Sequence, residues 1–157
     1  MRFNPHYSVV FPIELIEVDL REDTDKDAYI VCMDDLQPKA GFGLQQIVAP
    51  KELMKEYVDV EQVPSLLHGS FTTVNYNIGF SIEKVTNVKL AGGEWQELDN
   101  TAFERYSLCD SHLKQISKTL LVTTPGVYKI IWHNSYSFLK AKTVKYRIRL
   151  LTIPTKT

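Results

Sequence analysis

Cys109 and His112 stand three apart in "CDSH", with Asp110 between them. These are the residue types of a nucleophile, a base and an orienting acid. A thiol attacks only when a base lies within hydrogen-bond reach and donors await the developing oxyanion. Side chains so close along one chain rarely supply that geometry, so no catalytic residue is assigned. His6, His68, His112 and His133 are scattered without metal-ligand spacing, and no zinc site is expected. "DTDKDAYIVCMD" places Asp23, Asp25, Asp27 and Asp34 at positions 1, 3, 5 and 12 of a calcium loop. Position 6, where the sharp turn needs glycine, is Ala28, and position 12 carries the short Asp34. A hairpin turn with solvated acids is expected instead, with no metal and no cofactor. "GFGLQQ" lacks the third glycine and the strand–helix setting of a phosphate loop.

Two polar groups near the C-terminus invite binding rather than reaction. Asn134, Ser135, Tyr136 and Ser137 form "NSYS"; Asn and Ser bond their own backbone in turns, so a structural corner is expected. After it, Lys145, Arg147 and Arg149 alternate with Val144, Tyr146, Ile148 and Leu150. Residues two apart on a strand share a face, so the apolar set points inward and the cations outward. Such a row protects a sheet edge. With Lys140 and Lys142 it also makes a candidate strip for anions or a membrane surface. No aromatic platform interleaves the bases, and nucleic acid is not expected.

These residues need elements to hold them, and the elements read as strands. At 157 residues the chain is expected to form one domain, residues 1–157, large enough to bury a core. Short runs rich in Val, Ile, Tyr and Phe recur between turn residues, the pattern of an all-β sandwich. "YSVVFPIELIEVDL" is broken at Pro12, "AYIVCMDDL" is a further strand, and "SLLHGSFTTVNYNIGFSIEKV" gives two strands around a polar centre. "PKELMKEYVDV" is ambiguous: Pro50 could open a helix, whereas "EYVDV" alternates as a strand does. In "GVYKIIWH", from Gly126 to His133, Tyr128, Ile130 and Trp132 are expected to face the interior.

Composition is that of a water-facing globular chain, with a net charge of −1 that hides an asymmetry. Residues 126–157 hold seven bases and no acid, while residues 1–50 hold nine acids against four bases. A basic segment on an acidic body is a candidate binding surface. Cys32 and Cys109 are too few for a disulfide scaffold, which points to a reducing compartment. Charges interrupt the N-terminal segment early, so no signal peptide is expected there.

Three separated motifs resemble the GOLD (Golgi dynamics) domain family across about residues 52–152. "GVYKIIWHNSYSFLKAKTVKYRIRLL" is similar to the family's C-terminal hairpin, "SFTTVNYNIGFSI" to an earlier strand pair, and "RYSLCDSHL" to the stretch before that hairpin. Where the family usually carries Trp, this chain has Gly69, and residues 1–50 match nothing in the family. The resemblance implies a jelly-roll-like antiparallel β-sandwich of the cytosolic branch, as in Golgi adaptor and Sec14-like proteins. It implies a non-enzymatic adaptor that binds a protein partner at Golgi or endosomal membranes. The alternative it implies is a lipid-handling module that touches anionic headgroups beside a Sec14-type lipid-transfer domain.

Overall fold

The structure, a computed structural model, describes residues 14–15, 21–22, 29–30, 44–89, 91–98 and 100–153. Among the described residues thirteen strands follow one another: β1 (Glu14–Leu15), β2 (Arg21–Glu22), β3 (Tyr29–Ile30), β4 (Leu44–Val48), β5 (Leu53–Val60), β6 (Ser65–Val74), β7 (Ile78–Lys84), β8 (Asn87–Lys89), β9 (Trp95–Glu97), β10 (Thr101–Cys109), β11 (Ile116–Val122), β12 (Gly126–His133) and β13 (Lys142–Thr152).

Eight of them make a jelly roll. One sheet runs β4-β13-β6-β11 and the other β5-β12-β7-β10. All of these neighbours are antiparallel. Every connection among the eight crosses between sheets except β7 to β10, whose strands are neighbours. That is the double-sheet arrangement by which many β proteins cover their faces. Short β1 lies parallel along β13, with Glu14 opposite Arg149. Strands β2 and β3 form a separate antiparallel pair, as do β8 and β9.

Alternation explains why these segments are strands. Met54, Val58 and Val60 of β5 are buried on one face, which settles the ambiguous "PKELMKEYVDV" in favour of a strand over Leu53–Val60. Tyr128, Ile130 and Trp132 face the interior as expected, together with Val144, Tyr146, Ile148 and Leu150 of β13. Phe71, Phe80, Trp132 and Tyr146 form its aromatic centre, with ring centroids 4.9–5.9 Å apart. Trp132 meets Phe71 and Phe80 edge-on, while Phe71 and Phe80 stack, arrangements that suit the ring quadrupoles. A smaller cluster of Val85, Val127 and Tyr57 lies apart from it.

The β2–β3 pair closes residues 21–22 on 29–30, the hairpin expected around "REDTDKD". Asp23, Asp25, Asp27 and Asp34 lie outside the described residues, as does most of the strand expected in "YSVVFPIELIEVDL". No helix among the described residues is long and apolar enough to cross a membrane.

Candidate functional site

One end of the sandwich gathers four connections: residues 49–52, 75–77, 110–115 and 134–141. Asn134 is the hub. It is fully buried, and its Nδ2 lies 3.1, 3.1 and 2.8 Å from the carbonyl oxygens of Val48, Ala49 and Lys140. Its N–H donates to Glu52 O at 2.9 Å, and its carbonyl accepts from Lys51 N at 3.0 Å. Ser137 Oγ and Lys140 exchange hydrogen bonds across the turn. The Tyr136 hydroxyl reaches Asn77 Oδ1 at 2.7 Å, and Thr73 ties the neighbouring loop to Ser111. The "NSYS" group is therefore a structural corner, because Asn134 Nδ2, the Tyr136 hydroxyl and Ser137 Oγ hold loops together, while Asn134 Oδ1 is buried with no partner among the described residues.

The cationic residues do not form one strip. Lys145, Arg147 and Arg149 do share the outer face of β13. Of these, Lys145 is exposed, Arg147 half-buried, and Arg149 buried opposite His68 of β6. Lys142 belongs to the other face. It is the first residue of β13 and shares parity with Val144, so its stem is buried and only its Nζ reaches the loop end. There it donates to Asn77 O at 3.0 Å and the Tyr136 hydroxyl at 3.1 Å, and sits 4.7 Å from the Tyr136 ring. Burial lowers its pKa from the ordinary lysine value. Lys140 is exposed beside it, 5.5 Å over the Tyr76 ring. The expected strip thus divides into a sheet-face part and a loop-end part.

Cys109 is buried in the core cluster, where a thiol cannot meet a substrate. It does not pair with His112. Among the described residues no group of three or more His, Cys, Asp or Glu side chains is placed to hold a metal. The structure does bring together polar groups that sequence spacing could not reveal. Ser81 Oγ lies 2.6 Å from His133 Nε2 on the outer face of the second sheet, with the Tyr106 ring edge-on to the imidazole at 4.9 Å. Gly79 permits this: a Cβ there would come within 2.3 Å of Tyr106 Cε2. The Ser–His contact resembles a nucleophile and base. Ser81 pairs with Ile131 of β12, while on the other side the β10 ladder shifts register between Glu104 and Ser107 and passes Ser81 by. Burial also lowers the His133 pKa, with Glu83 opposing in part.

A second such group lies on the outer face of the first sheet. His68 is buried between Thr119 Oγ1 at 2.7 Å and Ser70 Oγ at 3.1 Å. Burial lowers its pKa, and the charge of Arg149 lowers it further. These contacts follow from cross-strand register, His68 opposite both Arg149 and Thr119. Parity in the sequence could have placed them on one face, but no spacing rule could have paired them.

Strands β10 and β11 run along one side of the sandwich. They lie at the edges of their sheets, linked by Lys118 and Glu104 at 3.5 Å. Strand β11 pairs with β6 over seven residues without a register shift, whereas β10 is bulged twice against β7. Tyr106, Leu108 and Leu121 are about half exposed along this side.

No family model matches the chain, and no curated protein matches it. A solved structure described as "CBM4 structure and function" is similar over 86% of this chain and 89% of its own, at 11% identity and a TM-score of 0.34. A likeness that loose does not bear on what this chain binds.

Proposed function

We propose that the chain is a non-enzymatic, GOLD-type protein-interaction module that serves as an adaptor at Golgi or endosomal membranes. The GOLD assignment and the trafficking setting rest on the three motifs within residues 52–152. One observation carries the interaction reading: the edge of β11. Its seven residues are paired in even register on the β6 side, and among the described residues no strand lies on the other. An extended segment of a partner can add to such an edge through main-chain hydrogen bonds, with alternate side chains giving specificity. The two bulges of β10 make that neighbouring edge a poorer template, since they twist its ladder out of line. Leu121, 53% exposed at the end of β11, is the apolar anchor nearest the added strand.

A charged residue on an edge strand discourages strand addition. Proteins retained from a cell extract should therefore differ between wild type and Leu121→Lys. The expected result is a partner bound by wild type and lost by the variant, with unchanged circular dichroism. Identical retained sets would remove β11 from the account.

A further inference from the structure

The three most exposed large apolar side chains among the described residues all lie at the loop end of the sandwich. They are Leu139 at 87%, Phe138 at 74% and Leu113 at 74%. Turns ordinarily carry Gly, Asn, Asp and Ser, so adjacent Phe and Leu at a turn tip is unexpected. Nor is their exposure the result of a loose loop. The tip stands on the Asn134 hub and the Ser137–Lys140 turn described above, which fix both ends of residues 134–141.

Cations are placed among these apolar groups. Lys51 Nζ sits 4.9 Å from the centroid of the Phe138 ring. Lys140 follows the tip directly, with its Nζ over Tyr76, and Lys142 stands beneath, against Tyr136. Lys114 neighbours Leu113 and is exposed. Among the described residues the acids in these four connections are Glu52 and Asp110, so the lysines prevail there. Sinking this mixture into an apolar protein pocket would strand the ammonium groups without water. At a bilayer surface both requirements are met together. Aromatic and aliphatic side chains enter the headgroup–acyl boundary, while lysines extend to the phosphates.

We infer that this loop end is a membrane-docking apex, with Phe138 and Leu139 inserting into an anionic bilayer and Lys51 and Lys140 meeting its headgroups. The site is separate from the β11 edge, so a membrane contact and a protein partner can be held at once. It also differs from the sheet-face cations Lys145 and Arg147.

The test uses the purified chain and vesicles of phosphatidylcholine with or without phosphatidylserine. Wild type is expected to float with the anionic vesicles at low salt, and less as salt screens the lysines. Phe138→Ser/Leu139→Ser should bind at least about tenfold more weakly, with an unchanged melting temperature because both side chains already face water. Phe138→Trp should gain blue-shifted emission, relative to wild type, on anionic vesicles only. Lys145→Glu/Arg147→Glu should float as wild type does. The inference fails if wild type does not float at low salt, or if the serine variant floats equally well. It fails too if only the Lys145→Glu/Arg147→Glu variant loses binding, which would place the contact on the sheet face. None of these outcomes depends on whether Leu121→Lys loses a protein partner.

Discussion

Glu56 occupies a position on β5 where the alternation calls for an apolar side chain. It lies opposite Ile130, and its Oε1 accepts a hydrogen bond from the Tyr146 hydroxyl at 2.8 Å. Its Oε2 has no partner among the described residues. Burial raises its pKa above the ordinary glutamate value, and the bond from Tyr146 offsets only part of that rise. Burial and the same carboxyl push the Tyr146 pKa up. The linkage has a definite sign. With the folded pKa above the unfolded one, this group's contribution is intact below about pH 4.5 and is lost as pH rises through the folded value. Glu97 behaves oppositely. Burial alone would raise it, but bonds from Asn100, Lys129 and Tyr57 hold it low, so its contribution is lost as pH falls. Glu56→Gln keeps an acceptor for Tyr146 and cannot ionise. It should melt level with wild type in acid and higher at neutral pH, by a few degrees, about what 1 kcal/mol gives in a domain of this size. Parallel melting profiles from acid to neutral pH would show that Glu56 is not held in this way.

At the scale of elements, period-two alternation told most of the story. The inward face of β13 was legible because cations alternate with apolar residues along it, whereas β12 carries buried Val127 and Ile131 on its outer face and only its aromatic residues marked the inner one. Strand β5 was harder, because Pro50 before a run containing Glu and Lys is also how a helix begins. Its pairing with β12 over eight residues decided the matter, a tertiary fact no local propensity contains. Lys142 was misplaced for a related reason: grouped with the outward cations, it is instead the first inward-parity residue of β13. Trp132 shows what the core asks of such a strand. Truncation to Ala removes the ring in contact with Phe71, Phe80 and Tyr146. The expected cost is about 3–5 kcal/mol, read as a lower denaturation midpoint at constant slope. An unchanged midpoint would contradict the packing described for β12.

Across the whole molecule, the jelly roll converts chain order into the two regions on which the proposals rest. The crossings between sheets bring four separate loops to one end, where the Phe138–Leu139 tip stands, and leave β10 and β11 as the edges along one side. Neither region could be found from spacing alone, since Lys51 and Phe138 are far apart in the chain and β11 looks like any other strand. What the sequence did carry was the basic charge of residues 126–157 and the three GOLD-like motifs. The most direct measurement of the central claim is amide hydrogen exchange on the protein bound to the partner that Leu121→Lys fails to retain. The account predicts slowed exchange concentrated in residues 116–122. Protection confined to the outer sheet faces, with residues 116–122 exchanging as they do in the free protein, would contradict it.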